Sequence, residues 1–307
     1  MGRLYSFDLV RGLAAVAVMA YHAERLVPRG YLAVDLFFVL SGFVLYRAYS
    51  PRLGSLRQFC SFTLRRIVRL YPLMFVGAVL GLAINGGSLL TLLLVPTGEQ
   101  VLFPANIPLW SLVYELIASI LFAALFRYGR MVWGVVWVAS GIVLSVAILT
   151  YGSADLGFSP ETAQHGLFRV GYSFSSGIAA AYLVQVRPRI SRWCIPFALM
   201  PLAFFMWPVG SVAVDILSIL FVFPALTIAL AYFETDQRYI ATELGGLSYA
   251  LYAIHHPIVK QADGAGLLYV PLFFAIIAVA WALERYFDRP LRRHLHFLIS
   301  RRESSPD

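Results

Sequence analysis

The chain has 307 residues, 60% of them hydrophobic and 13% charged, with a formal net charge of +8 and a mean hydropathy of +0.76. Those values lie outside the range of soluble domains and put the chain among integral membrane proteins. The basic residues are spread over loops and form no single stripe, which argues against nucleic acid as a partner. It fits topology signals and contact with membrane lipids.

At roughly 20 residues per crossing, the length accommodates about ten spans with short loops. Apolar runs predict them near 7–26, 31–49, 72–90, 108–126, 131–150, 166–185, 193–208, 211–232, 244–262 and 267–286. Gly and Pro interrupt the third and the seventh. The run Leu89–Val95 before Pro96 is too short to cross and reads as re-entrant or interfacial. The expected fold is an all-α integral membrane protein with about ten transmembrane helices in a single bundle. Residues 1–290 form the transmembrane domain and 291–307 a basic cytoplasmic tail.

All but one of the 24 basic residues are Arg, and they cluster in alternate loops. Arg47, Arg52, Arg57, Arg65, Arg66 and Arg69 follow the second span, Arg127 and Arg130 the fourth, Arg187, Arg189 and Arg192 the sixth, and Arg238 the eighth. Arg285, Arg289, Arg292, Arg293, Arg301 and Arg302 lie at the C-terminal end. The positive-inside rule therefore makes both termini cytoplasmic and requires an even number of spans. The first apolar segment is too long and too polar for a cleavable signal peptide, and no fused soluble domain is expected. Cys60 and Cys194 both fall on the cytoplasmic side, where disulfides are rare. No Walker loop, metal-ligand spacing or GxSxG elbow is present, so no metal and no resident cofactor is expected.

The first span carries Arg11 and His22, ionisable groups that hydrocarbon tolerates poorly and that usually face a polar cavity. Their spacing of 11 residues is close to three helical turns, which sets them on nearly one face, about 16 Å apart along the axis. Other buried polar groups sort by depth. Asp35, Glu115 and His255 share the outer depth of His22, with Trp110 and Ser111 nearby, while Arg65, Arg66, Arg69, Ser248 and Tyr249 mark the cytoplasmic mouth. His256 projects about 100° away from His255 and is assigned to packing.

These residues also carry a family resemblance. Phe7-Asp8-Leu9-Val10-Arg11-Gly12 with His22, then Val34-Asp35-Leu36-Phe37-Phe38-Val39-Leu40-Ser41-Gly42-Phe43, resembles the start of the acyltransferase-3 family of integral-membrane acyltransferases. The basic segment Phe62-Thr63-Leu64-Arg65-Arg66-Ile67-Val68-Arg69-Leu70-Tyr71-Pro72 is similar to the family's segment before span three. Leu109-Trp110-Ser111-Leu112-Val113-Tyr114-Glu115 resembles its tryptophan–serine–leucine and glutamate motif, and Leu247-Ser248-Tyr249 through His255-His256-Pro257 its late serine–tyrosine and histidine–x–proline motif. Val10 and Asp288 depart from the residues usual at those positions.

The resemblance implies a stand-alone, sugar or exopolysaccharide O-acetyltransferase-like member of the bacterial cytoplasmic membrane. Its co-substrate would be acyl-CoA, commonly acetyl-CoA, and its acceptor a hydroxyl of a saccharide or glycolipid. It matches Arg11 and His22 to the family's arginine–ten residues–histidine motif, with His22 central. Acyl transfer to an alcohol needs a base and an oxyanion donor. His22 is expected as the base or as a transient acyl carrier, against the alternative of an interfacial histidine at a span end. Glu115 and Asp35 would orient His22, raise its basicity or bind the acceptor, and depth does not separate these roles. Asp35 also suits a helix-start carboxylate. Arg11, Arg65, Arg66, Arg69, Ser248 and Tyr249 are assigned to the donor, although topology alone explains the loop arginines and small-residue packing explains the serine. Trp110, Ser111 and His255 are assigned to the acceptor. Acylation of a cytoplasmic natural product and solute transport are the competing readings, and a homo-oligomer is left open.

Overall fold

A backbone inside hydrocarbon has no hydrogen-bond partner but itself, and this chain meets that constraint with helix almost throughout. The computed structural model describes residues 3–23, 25–50, 53–184, 188–208, 210–262 and 269–304. The helices are α1 (Tyr5–His22), α2 (Ala33–Tyr49), α3 (Leu56–Asn85), α4 (Leu109–Leu125), α5 (Arg130–Tyr151), α6 (Ala163–Leu183) and α7 (Cys194–Phe205). Then come α8 (Val212–Leu217), α9 (Phe223–Tyr232), α10 (Arg238–Gln261), α11 (Tyr269–Ala282) and α12 (Arg289–Ser304). Wide π-type turns at Ser218–Val222 and Leu283–Asp288 join α8 to α9 and α11 to α12 without a break.

Among the described residues, six helical stretches are long and apolar enough to cross a membrane: Gly30–Tyr49, Leu56–Asn85, Leu109–Tyr128, Met131–Tyr151, Val212–Tyr232 and Val270–Arg301. α7 has only 12 residues. The expectation of a third span at 72–90 misses where that helix begins. Ser55 and Gln58 form a capping box that starts α3 at Leu56, so Arg57, Arg65, Arg66 and Arg69 lie on the helix and not in a loop. The Leu89–Leu93 stretch is a short 3₁₀ helix with exposed leucines. The C-terminal helix runs through residue 290, across the boundary drawn between domain and tail. Both cysteines are free, Cys60 exposed and Cys194 buried.

Two side-by-side helix pairs set the interior. α1 packs most extensively on α10, and α2 on α6. In the first pair Gly12 lies against Leu244 and Gly245 against Asp8, while His22 meets His255 and His256. Residues 8–12 of α1 thus meet 244–245 of α10 and residue 22 meets 255–256, so the two helices run parallel. In the second, Gly42 abuts the backbone of Phe174 and Gly177 that of Val39, which is the close approach that small residues permit in membranes. α1 has no capping side chain of its own. Glu234 supplies one from a distance, accepting hydrogen bonds from the backbone N–H groups of Tyr5 (3.0 Å) and Ser6 (2.6 Å). Glu234 belongs to a two-residue strand, β2 (Phe233–Glu234), that pairs in parallel with β1 (Arg189–Ile190).

A Cβ on Gly177 would lie 1.9 Å from the Val39 carbonyl oxygen. Gly177→Leu is therefore expected to force α2 and α6 apart at a cost of about 1–3 kcal/mol, read as a lowered melting temperature in detergent. An unchanged melting temperature would contradict this packing.

Candidate active site

His22 is the last residue of α1, and the parallel packing of α1 on α10 sets its ring beside two others. Its centroid is 5.2 Å from that of His255, with the planes at 37°, and 4.9 Å from that of His256, with the planes at 89°. The ring of His256 therefore faces His22, which corrects its assignment to packing. A rotation of 100° along α10 does not remove it from the site, because His22 lies between the two side chains. His255 is fully buried. Its Nδ1 is 3.0 Å from the carbonyl oxygens of both Leu251 and Tyr252. Carbonyls only accept, so Nδ1 carries the proton and Nε2 presents a lone pair, which has no partner among the described residues.

The carboxylates expected at the depth of His22 are bonded elsewhere. Asp35 is gripped by Arg169, which donates from Nε (3.1 and 2.9 Å) and Nη2 (2.7 Å), and by the Ser173 hydroxyl (3.1 Å). Arg169 also donates to the carbonyls of Tyr31 and Leu156, and both members of the pair are fully buried. Glu115 accepts from Arg66 (2.9 Å) and from Ser41 (3.0 Å), and the same arginine reaches Ser119. Neither carboxylate is hydrogen-bonded to His22. Depth gives one coordinate of a side chain, whereas the rotation of its helix decides its neighbours. A third buried pair, Arg29–Asp215, ties the loop after α1 to α8, with Tyr31 on the same carboxylate (3.0 Å).

Three cavities follow one another through the protein. An outer chamber of about 490 Å³ is lined by His22, Arg25, Trp110, Asp155, His256 and Lys260, among others. A channel of about 290 Å³ is lined by Arg11, Ser41, Arg66, Arg69, Glu115, Ser248 and Tyr249. A vestibule of about 690 Å³ is lined by Arg3, Arg69, Arg289, Arg292, Arg293 and His296, with Asp8, Glu284 and Asp288 as counter-charges. Channel and vestibule share Arg69, Gly245 and Tyr249. Chamber and channel share Val34 and Tyr252. Arg11 and His22 thus lie on opposite sides of a constriction formed by Val34 and Tyr252.

The remaining expected residues fall as follows. Ser111 sits at the constriction, its hydroxyl 2.6 Å from that of Tyr252 and 2.9 Å from the Pro108 carbonyl. Trp110 is only 5% exposed, because Gly157, at φ +109°, and Gly166 press on its ring and Arg169 lies 5.8 Å from the ring centroid. Ser248 bonds back to the Gly245 carbonyl (2.8 Å), and Tyr249 to that of Leu70 (2.8 Å). Arg65 leaves the group. It lies about 100° round α3 from Arg66, toward Ser61 and Ser300, and lines a separate surface cavity. His255 lines none of these cavities.

Four residues of the site escaped the sequence reading. Tyr252 and His256 sit inside a motif that was read for its other members. Arg169 counts in the sequence as one more outer basic residue. Asp155 lies in a short polar loop; it accepts a hydrogen bond from Tyr21 (2.6 Å), and burial pushes its carboxyl above the usual range. Among the described residues no cluster of His, Cys, Asp or Glu suits a metal ion.

A family model described as an acyltransferase domain matches residues 4–285. Among curated proteins, an 83-residue stretch is 43% identical to "Protein 2 in picA locus" of Rhizobium radiobacter, covering 25% of this chain and 44% of that protein. Acyltransferase MdmB of Streptomyces mycarofaciens is 29% identical over 198 residues, 52% of this chain and 49% of its own. Peptidoglycan O-acetyltransferase OatA of Listeria monocytogenes is 36% identical over 74 residues, 23% of this chain and 12% of its own. The chain thus spans less than half the length of each of these relatives. No solved structure matches.

Removing Asp35 would leave the guanidinium of Arg169 buried without its counter-charge. Asp35→Ala is expected to cost about 3–5 kcal/mol of stability and to lower the yield of folded protein. A variant that keeps wild-type thermal stability in detergent would show that the pair does not hold α2 to α6.

Proposed function

The chain belongs to the acyltransferase-3 family, and from that premise we propose that it is an integral-membrane O-acyltransferase of the bacterial cytoplasmic membrane. Its donor is acyl-CoA, with acetyl as the group moved, and its acceptor is a hydroxyl of a sugar or lipid-linked saccharide. In this reading ten segments cross the membrane with both termini cytoplasmic. The six apolar helices are joined by α1, α6 and α10, which carry polar side chains into the interior, and by the short apolar α7. Residues 1–290 supply the catalytic bundle, while the helix that continues through Ser304 contributes Arg292, Arg293 and His296 to the vestibule.

The observation that carries this reading is the constriction at Val34 and Tyr252, with the Arg11 channel on one side and the His22 chamber on the other. The arginines of the vestibule suit the phosphates of the CoA head. The pantetheine arm extends up the channel past Arg11, Ser248 and Tyr249, a path of about 16 Å from Arg11 to His22 along α1. The thioester carbonyl reaches the constriction while the acceptor hydroxyl enters from the outer chamber, where Trp110, Asp155 and His256 line its path.

His22 takes the hydroxyl proton, and the acceptor oxygen forms a bond to the thioester carbon. The tetrahedral oxyanion collapses, the C–S bond breaks, and the departing CoA thiolate takes the proton back from His22. The Tyr252 phenol at the constriction donates to the oxyanion by giving up its bond to Ser111, whose own hydrogen is held by the Pro108 carbonyl. Glu115 acts in this scheme by fixing Arg66 along the channel, and Asp35 by fixing Arg169; neither touches the reacting atoms. The names of MdmB and OatA agree with acyl transfer, and OatA's with transfer to a glycan.

Turnover of radiolabelled acetyl-CoA by protein in nanodiscs tests the scheme. His22→Ala is expected to lower kcat by about 10²–10⁴-fold while the protein stays folded. Arg11→Ala is expected to raise KM for acetyl-CoA by about 10- to 100-fold, the loss of a charged hydrogen bond. Full activity in the first variant, or unchanged donor affinity in the second, would contradict it.

A further inference from the structure

A neutral histidine acting as a base needs its other ring nitrogen held, so that the lone pair and not the N–H faces the hydroxyl. A carboxylate usually holds it, and the sequence offered two. Both are committed: Asp35 to Arg169 and Glu115 to Arg66. The carboxylate nearest the chamber, Asp155, is bonded to Tyr21. What remains beside His22 is two imidazoles: Nε2 of His255 and Nδ1 of His256 are both buried and without a hydrogen-bond partner among the described residues.

We infer that His255 is the positioning residue for His22, its unpartnered Nε2 placed to accept the N–H of that ring when His22 turns its lone pair toward the outer chamber. This rests on the reading of His22 as the base. Three features support it. The tautomer of His255 is fixed by two carbonyls at 3.0 Å, so Nε2 has no role open to it except acceptor. The ring centroids lie 5.2 Å apart, close enough for two imidazoles to share an N–H···N bond, and Nε2 of His255 has that bond still to make. The ring of His255 is tilted 37° to that of His22 and the ring of His256 stands at 89°, so the two neighbours meet it differently. Access divides the two neighbours in the same way. His256 lines the outer chamber and can meet the acceptor, whereas His255 lines none of the three cavities and can reach it only through His22. The pair of adjacent histidines is thereby split into one that faces the acceptor and one that holds the base.

The test separates the two nitrogens of His255. An asparagine amide nitrogen falls near Nδ1, so His255→Asn keeps the bonds to Leu251 and Tyr252 but removes the acceptor. A glutamine side chain reaches the Nε2 position, so His255→Gln restores an acceptor oxygen there. With acetyl-CoA and a saccharide acceptor, His255→Asn is expected to lower kcat roughly 10- to 100-fold with both KM values unchanged, and His255→Gln to recover much of that loss. A merely structural role predicts the reverse order, because Asn preserves the helix contacts and Gln does not. Wild-type kcat in a folded His255→Asn, or a loss confined to the acceptor KM, would overturn the inference. If His255→Asn does not fold, His255→Leu is compared with His255→Gln, and equal kcat in those two overturns it as well. His22→Ala measured alongside keeps the two claims apart: activity there removes the base itself, whereas an inactive His22→Ala beside a fully active His255→Asn removes only its support.

Discussion

A carboxylate enclosed in a membrane bundle has to be met by a cation or by donors enough to hold its charge, and this bundle meets the need with arginine. Asp35 is held by Arg169, Glu115 by Arg66 and Asp215 by Arg29. Each pair joins helices or loops distant in sequence, so the same bonds that neutralise the charge fix the relative rotation of α2, α3, α4, α6 and α8. They also remove those carboxylates from any chemistry at His22. The His22 chamber is left with imidazoles, hydroxyls, the exposed cations Arg25 and Lys260, and one carboxylate, Asp155, which Tyr21 holds.

That division follows from helix pairing. Because α1 and α10 run parallel and close, the arginine and histidine of α1 meet residues of α10 at two depths. Arg11 shares the channel with Gly245, Ser248 and Tyr249, and His22 shares the chamber with His256. Tyr252, one turn from either group on α10, lines both spaces. Asn106 pins this arrangement from below α4, donating to the carbonyls of Gly77 (3.1 Å) and Ala253 (2.8 Å), so α3 cannot slide on α10 without breaking a buried bond. A donor and an acceptor entering from opposite ends would thus meet at one tyrosine.

Much of this was legible in the residues. The apolar runs gave the helices of α2, α4, α5 and α8–α9 to within a few residues, and the Arg11–His22 spacing gave the axis of the site. Depth along a span is readable because each residue adds a fixed rise. Rotation about the axis is not, because packing at glycines such as Gly42 and Gly177 sets it. Hence Asp35 and Glu115 were read with the wrong neighbours, Glu115 lining the channel with Arg11 and Arg66 and not the chamber with His22, and His256 was turned away from a ring it touches. The start of α3 was missed because Arg57, Arg65, Arg66 and Arg69 read as loop, although Ser55 and Gln58 carried the capping signal. Tyr252 gave no signal at all: its importance lies in lining two cavities, which only the assembled bundle defines.

The most direct test of the account is a structure of the protein in nanodiscs with a non-hydrolysable acetyl-CoA analogue. The account predicts the nucleotide phosphates among Arg69, Arg289, Arg292 and Arg293, the pantetheine along Arg11 and Tyr249, and the acyl carbonyl at Val34 and Tyr252 within reach of His22. An analogue bound with its head in the outer chamber, or lying outside the channel altogether, would contradict it.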